Sequence, residues 1–354
     1  MQVSKGKNMK KNVIGINYFF IHFIIEVTSF YILTSYTKSN LIWVVALLYD
    51  FLAFVPQGLF GYFKDKRVNL DFTIVGLILS TMALILLYLK INPIIVILVI
   101  SIGNCLIHIE GAEETLRSSK GKMTPSALFV SGGSFGVITG KLLLKYNVNI
   151  IYIILINLLM IVPIIVSHKN KDLLDDKNLE KYNYSNKNIN NNLIILLATI
   201  VVIVRAYMGY GIPTSWNKTV VETILLYCFM GTGKALGGVM IDKIGIRKTA
   251  LISTLGALPF LIFGNNLMIV SLIGIMFFSM TMAITLGLIV SVLKKYPGVA
   301  FGFTTIGLFL GSLPMFFMRI KSFYINCIIV ITLTIVCVII LNKICRKENK
   351  NEHI

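Results

Sequence analysis

Titratable side chains stand inside long apolar stretches of this sequence, where an unpaired charge is costly. His22 and Glu26 are four residues apart, which places them on one face of a helix. Asp50 occupies the next apolar stretch, and Arg205 lies inside a later one. Burial disfavours a charged carboxylate, so Glu26 or Asp50 can take up and release a proton, and the two can titrate as a coupled pair. We therefore select His22, Glu26, Asp50 and Arg205 as candidates for a proton and substrate cavity.

Structural roles are open for the same side chains. His22 and Glu26 can form a hydrogen-bonded pair that only stabilises the fold, and Asp50 can do the same with another partner. Arg205 can pair with Glu222, which lies near the end of the following apolar stretch. The positions of the helices decide between these roles.

The elements that carry these residues are membrane-spanning helices. Of the 354 residues, 56% are hydrophobic and 14% are charged, which is too apolar for a soluble domain of this length. A span needs about 20 apolar residues. The sequence contains twelve such runs, numbered here as spans 1 to 12, near 13–35, 41–63, 71–90, 93–115, 124–144, 148–167, 193–214, 219–241, 249–264, 267–292, 297–318 and 323–342. We predict an all-α integral membrane protein with twelve transmembrane helices.

One polar segment divides the spans into six and six. Residues 167–192, SHKNKDLLDDKNLEKYNYSNKNINNN, are rich in Asn and Lys and contain few large apolar residues, so we expect them to bury little surface. We predict a six-helix bundle in residues 1–166, a linker in 167–192 and a second six-helix bundle in 193–354.

The basic residues predict the orientation. Most of the 33 Lys and Arg residues lie at the two termini, in the linker and in the connections on that same side. Cytoplasmic loops of membrane proteins carry such an excess. We predict a multi-pass protein of the cell membrane, with both termini and the linker in the cytoplasm. This distribution also accounts for the net charge of +18 without a nucleic-acid partner.

A compact charged turn appears twice, once in each half. GLFGYFKDKRVN begins at residue 58, and GGVMIDKIGIRKT begins at residue 237. Glycine lets two helices approach closely, and an aspartate at a helix end can face the positive N-terminus of a neighbouring helix. Arg247 and Lys248 can also bridge to acids on adjacent spans. The latch motif, as we name it, comprises Gly61, Asp65 and Lys66 in its first copy, and Gly238, Asp242, Lys243, Gly245, Arg247 and Lys248 in its second.

The latch motif and its placement after the second span of each half resemble the signature of the major facilitator superfamily. That signature is Gly, three residues, Asp, a basic residue, one residue, Gly and further basic residues. The second copy matches it, and the first has Val68 in place of its second Gly. The resemblance implies two six-helix bundles related as a parallel repeat, a substrate site between them near mid-membrane, and a latch that joins the halves on the cytoplasmic side.

Spans 4 and 5 carry a second, narrower resemblance. His108, Ile109, Glu110 and Gly111 are followed by a Phe-x-x-Gly-Gly run with further glycines. This pattern is similar to the fosmidomycin-resistance branch of the superfamily, which has Pro at the position of Ile109. Small residues at every fourth position favour close helix contact. The glycines of span 5 are Gly132, Gly133, Gly136 and Gly140.

We predict a secondary active transporter of a small organic solute. The sequence has no nucleotide-binding loop, so the energy has to come from an ion gradient, and the acidic residues with His22 favour protons. The resemblance of spans 4 and 5 favours efflux of a drug or metabolite over proton-coupled import. Two further functions stay open, namely a membrane-embedded transferase that uses His108 with Glu110 or Glu113, and a degenerate transporter with a structural or sensor role. We expect a monomer that is not an enzyme and needs no cofactor or metal.

Overall fold

The computed structural model of the protein describes residues 12–66, 70–318, 320 and 322–346. The basic N-terminal stretch, Val68 and residues 347–354 lie outside this part of the chain. The described residues form twelve apolar helices: α1 (Val13–Ser35), α2 (Ile42–Asp65), α3 (Phe72–Tyr88), α4 (Pro93–Ser118), α5 (Thr124–Lys145), α6 (Ile150–Lys169), α7 (Asn191–Gly211), α8 (Val220–Ile244), α9 (Ile246–Phe263), α10 (Met268–Val292), α11 (Pro297–Phe316) and α12 (Phe323–Ile344). Eleven of these helices are long and apolar enough to cross a membrane, and α3 is a shorter apolar helix. The predicted all-α membrane fold with twelve helices is confirmed.

Several helices are interrupted, and two of the interruptions bear on the buried charges. A π turn, Ile252–Gly256, lies within α9, and α10 is divided at Met280. An interrupted helix leaves backbone carbonyls that need a donor from elsewhere inside a membrane. The other divided helices consist of Ile42–Phe54 and Gln57–Asp65 in α2, Ile150–Leu158 and Ile161–Lys169 in α6, and Pro297–Ser312 and Leu313–Phe316 in α11, and the linker contains the 3₁₀ turns Lys171–Leu173 and Asp176–Lys181.

Glycines bring α1 and α5 into direct backbone contact. Gly136 lies against the carbonyl of Phe23, and Gly132 and Gly140 make the same contact with α1 one turn to either side. A Cβ at any of these three positions would overlap the backbone of α1. Gly311 of α11 packs in the same way on α7. The corresponding helices of the two halves are therefore joined by the same means.

The linker is anchored to both halves. Tyr182 is fully buried, and its hydroxyl lies 2.5 Å from the Ser119 hydroxyl at the end of α4. The backbone N–H of Tyr184 donates to the Ser291 hydroxyl of α10 at 2.9 Å. The composition of the linker predicts little burial, but the structure differs because a tyrosine ring can be buried once its hydroxyl has a partner.

The α1–α5 contact predicts the effect of adding one methyl group. We expect Gly136→Ala to destabilise the protein by about 1–3 kcal/mol, because overpacking forces the helices apart. Gly209→Ala in α7 is the matched control, since a Cβ there meets its nearest heavy atom only at 3.9 Å. Thermal unfolding of both variants in one detergent measures the difference. A Gly136→Ala protein that unfolds at or above the wild-type temperature contradicts the tight contact.

Candidate functional site

Three buried side chains from two helices converge in the first half. His22 and Glu26 come from α1, and His108 comes from α4. The Glu26 Oε1 atom lies 3.8 Å from His22 Nε2 and 3.7 Å from His108 Nε2. One ligand atom of each residue lies within 4.8 Å of the other two. We call these three residues the triad. The sequence predicted its α1 pair but not the addition of His108.

Backbone hydrogen bonds determine which nitrogen of each imidazole faces Glu26. The Nδ1 atom of His22 lies 2.8 Å from the carbonyl oxygen of Phe129, and that of His108 lies 2.9 Å from the carbonyl oxygen of Asn104. A carbonyl only accepts, so both Nδ1 atoms carry a hydrogen and donate it. Both Nε2 atoms of the neutral rings therefore keep a lone pair directed towards a carboxylate. Three acceptors that meet in this way need a proton or a cation between them.

Asn104 orients the carboxylate of the triad. Its Nδ2 donates to Glu26 Oε1 at 2.9 Å, and it also lies 3.2 Å from the Ser29 hydroxyl and 3.1 Å from the Tyr49 hydroxyl. Asn104 therefore links α1, α2 and α4 around the triad. This residue was not predicted from the sequence, although it lies one helical turn before His108 and shares its face.

A glycine and two aromatic rings shape the space around the triad. A Cβ at Gly133 would overlap the imidazole of His22, so a side chain at that position has to displace the ring. The His108 ring stacks on Phe301 of α11 with 6.4 Å between centroids, and Phe129 also contacts Phe301. Phe301 belongs to the second half. A relative movement of the halves therefore changes the surroundings of the triad.

Asp50 and Lys234 lie near the triad without joining it. Both interact electrostatically with Glu26, and Lys234 also interacts with His108. Among the described residues, no hydrogen bond or ion pair links Asp50 or Lys234 to a member of the triad. Asp50 belongs to α2 and Lys234 to α8, one helix from each half.

Arg205 does not pair with Glu222. Its Nη2 donates to the carbonyl oxygens of Ser253 at 2.8 Å and Phe278 at 2.7 Å, and its guanidinium lies 3.5 Å from the Phe278 ring centre. These carbonyls belong to the interrupted parts of α9 and α10, so the buried charge satisfies backbone that the helices leave open. Glu222 instead closes a capping box with Thr219 at the start of α8. The structure therefore separates Arg205 from the triad.

The second copy of the latch motif reaches across to the first half. Asp242, near the end of α8, accepts hydrogen bonds from the backbone N–H groups of Met123 at 2.8 Å and Thr124 at 3.0 Å. The Thr124 hydroxyl donates to the same carboxylate at 2.5 Å, and the Tyr184 hydroxyl, which donates to the carbonyl oxygen of Gly121 at 2.7 Å, lies 3.4 Å from it. These amides begin α5, where the helix dipole favours an anion. Gly238, one turn earlier, brings the two helices into contact.

The first copy makes the same contact with the halves exchanged. Asp65, at the end of α2, accepts hydrogen bonds from the N–H groups of Gly298 and Val299 in the first turn of α11, both at 2.9 Å. A Cβ at Gly61 would overlap the backbone of Gly298. We call the two arrangements the latch contacts. Both lie at the same end of the helix bundle and join opposite halves.

The other members of the latch motif have different roles. Gly245 has a φ of +85° in the turn between α8 and α9, a region that favours glycine. Arg247 donates to Asn342 Oδ1 at 2.5 and 3.1 Å, so its partner is an amide of α12 and not an acid. The Lys66 ammonium lies 5.4 Å from the centre of the Tyr62 ring. The members with exposed side chains at this end are Lys66, Lys243 and Lys248.

The two polar residues of the motif in spans 4 and 5, His108 and Glu110, lie in different parts of the structure. His108 joins the triad, whereas Glu110 lies nearer the latch contacts and pairs with Lys64 at 2.7 Å. Glu113 pairs with Arg117 at 2.8 Å. The His108–Glu110 and His108–Glu113 pairs on which a transferase would depend are not formed among the described residues.

The twelve helices have the fold of the major facilitator superfamily of transporters. Neither a family model nor a curated protein sequence matches the chain. Solved structures of this superfamily do match it, at identities that show the fold alone.

The first of these structures is a variant of the E. coli fucose:proton symporter FucP. It has a TM-score of 0.66 and 15% identity, with 93% of this chain and 97% of that chain covered. FucP in the outward conformation has a TM-score of 0.63 and 14% identity, with the same coverage of 93% and 97%. The human organic anion transporter MFSD10 (TETRAN) has a TM-score of 0.62 and 12% identity, with 93% of this chain and 99% of that chain covered.

The latch contacts predict a shift in the relative position of the halves. We expect Asp242→Asn to separate the halves at the latch end, since a hydrogen bond to a charged group is worth about 1.5–3 kcal/mol. Spin labels on Lys120→Cys and Lys295→Cys in a cysteine-free chain report that distance. Asp65→Asn should have the smaller effect because its carboxylate accepts two hydrogen bonds, and Asp242 accepts three of 3.0 Å or shorter. Asp172→Asn, on the exposed linker, is the control. A distance distribution that Asp242→Asn leaves unchanged contradicts the role of the latch.

Proposed function

We propose that this protein is a proton-coupled secondary active transporter that moves a small organic solute across the cell membrane by alternating access. One observation carries the proposal: the buried carboxylate of Glu26 lies between two imidazole nitrogens that both present a lone pair. Ionisable groups buried inside a membrane protein characteristically mark proton and ion pathways. In this proposal the group belongs to one of two bundles that alternate around a central site.

The latch contacts provide the conformational switch in this proposal. Both are made at one end of the bundle, and both break when the halves separate there. The first turns of α5 and α11 then lose a charged acceptor. The latch contacts therefore stabilise the state in which the two halves touch at this end. The linker strengthens the same state, because the Tyr184 N–H donates to Ser291 of α10 and its hydroxyl donates to the carbonyl oxygen of Gly121, between α4 and α5.

The triad provides the proton site. When Glu26 is charged, Asn104 and a protonated imidazole stabilise it. When Glu26 is protonated, its hydroxyl donates to one of the Nε2 atoms. Phe301 of the second half covers His108, so separation of the halves alters access to the triad and couples proton exchange to the conformational change.

The direction of transport that we propose is efflux, on the resemblance of spans 4 and 5 to the fosmidomycin-resistance branch. Proton-coupled import is the alternative, and the similarity to a fucose:proton symporter supports it.

We further propose that residues 1–166 and 193–354 act as the two bundles, that residues 167–192 form a cytoplasmic linker, and that the chain works as a monomer.

Proton movement in proteoliposomes tests the transporter. Vesicles that contain the pH dye pyranine receive a panel of sugars (fucose included), organic anions and lipophilic drugs under an imposed pH gradient. We expect at least one compound to change the internal pH with the wild type, and its own distribution to give the direction. A transferase would form product with no dependence on the gradient, and a panel without any response contradicts transport.

The same vesicles test the proton carrier. Glu26→Gln keeps the size of the side chain but fixes a neutral group, so we expect it to abolish proton-driven accumulation while downhill exchange of the solute remains. Glu222→Gln is the matched control, because glutamine also serves in a capping box. If Glu26→Gln still accumulates solute, Glu26 is not the carrier, and Asp50→Asn is the next variant.

The orientation is tested by labelling single cysteines in a cysteine-free chain. We expect Asp172→Cys in the linker to react with a membrane-impermeant maleimide only after the cytoplasmic face is opened. Asn266→Cys, exposed between α9 and α10, should react in intact cells. Ser185 is a poor site for this purpose, because it is 8% exposed and forms an isolated backbone bridge with Cys345. The reverse labelling pattern contradicts a cytoplasmic linker.

A further inference from the structure

We propose that the triad binds one divalent transition-metal ion, with His22, Glu26 and His108 as its protein ligands. The site is the one to which we assign the proton, and an ion and a proton use the same lone pairs, so they exclude one another. Ion binding does not require that the proton-coupled transport proposed above is correct. The sequence shows no metal-binding pattern because the third ligand comes from a helix that is distant along the chain.

The separations of the ligand atoms suit a single ion. Two ligands that each lie about 2.0–2.2 Å from a shared ion are about 3.3–3.8 Å apart in tetrahedral or trigonal geometry. The Glu26 Oε1 atom lies 3.8 Å from one Nε2 and 3.7 Å from the other. All three atoms lie within 4.8 Å of one another, so a small contraction brings them to bonding distance.

The hydrogen bonds around the triad are those that metal ligands need. A histidine that binds a metal almost always donates its other nitrogen to a carbonyl or carboxylate, which fixes the tautomer and the ring orientation. Both histidines of the triad donate Nδ1 to a backbone carbonyl, at 2.8 and 2.9 Å. The carboxylate is held by Asn104 in the same manner. The ligands are thus oriented by groups that take no part in binding.

The donor atoms select the class of ion. Two imidazole nitrogens and one carboxylate oxygen suit Zn²⁺, Co²⁺, Ni²⁺ and similar ions, whereas Ca²⁺ and Mg²⁺ prefer sites built from oxygen atoms. Three protein ligands leave at least one position for water or for a donor atom of a solute.

Charged groups from both halves lie near the triad, and their charges do not cancel that of a bound ion. One divalent ion with Glu26 leaves a single positive charge. A carboxylate at Asp50 of α2 offsets that charge, whereas an ammonium at Lys234 of α8 adds a further positive charge. The hydroxyl of Tyr49, 3.1 Å from Asn104 Nδ2, contributes no charge.

Equilibrium metal binding tests the inference. The full chain, without a histidine tag, is placed in lipid nanodiscs and titrated with Zn²⁺ against a chromophoric chelator. We expect one ion per chain in the wild type. We expect Glu26→Gln and His108→Gln each to weaken binding at least about 100-fold, because loss of a ligand exceeds the 10- to 100-fold effect of losing an outer hydrogen bond. His168→Gln is the matched control, since His168 pairs with Asp71 away from the triad.

The visible spectrum of bound Co²⁺ tests the ligand set without any variant. We expect the absorption of a four- or five-coordinate ion with nitrogen and oxygen ligands.

A wild-type protein that binds no more Zn²⁺ than Glu26→Gln overturns the inference, and so does a His168→Gln protein that loses binding equally. Proton movement in pyranine-loaded vesicles is measured with a chelator present. Transport in these vesicles from a protein that binds no Zn²⁺ in the titration overturns this inference alone, and Zn²⁺ binding in the titration without transport overturns the proposed function alone.

Discussion

The first turns of α5 and α11 present backbone N–H groups for which their own helices provide no acceptor. In both cases the acceptor is a carboxylate from the opposite half. Asp242 serves α5, and Asp65 serves α11. Each aspartate follows a glycine by one helical turn, and that glycine permits the approach that the hydrogen bonds require. The relative position of the two halves at this end depends on these two contacts.

Close approach of backbones also builds the triad. Gly132, Gly136 and Gly140 of α5 let the backbone of α1 approach closely. This approach brings His22 within hydrogen-bonding distance of the carbonyl oxygen of Phe129. Once Nδ1 of His22 donates there, its Nε2 atom has to face Glu26. The packing of two helices thereby determines the tautomer of an imidazole, and the tautomer determines what the triad can bind.

A membrane interior without water explains why Arg205 differs from Glu26. Both are buried and ionisable, and both lie well inside an apolar helix. The Nη2 group of Arg205 donates to two carbonyls at interruptions of α9 and α10, so it supports irregular backbone, while its Nε and Nη1 atoms have no hydrogen-bond partner among the described residues. Glu26 instead faces two acceptors, which leaves a proton or a cation to complete the arrangement. The same cost of burial therefore yields a structural group in one half and a candidate binding site in the other.

The sequence by itself determined the twelve spans, because hydropathy is a local property of about 20 residues and needs no knowledge of neighbours. It also determined the latch motif, since the glycine and aspartate of each copy are close in the chain, and the α1 positions of His22 and Glu26. Only the tertiary structure decided that His108 and Asn104 complete the site, that Arg205 meets carbonyls and not Glu222, and that the polar linker buries a tyrosine. These partners lie on different elements, and contact between elements depends on helix rotation and approach distance, which spacing along the chain does not encode.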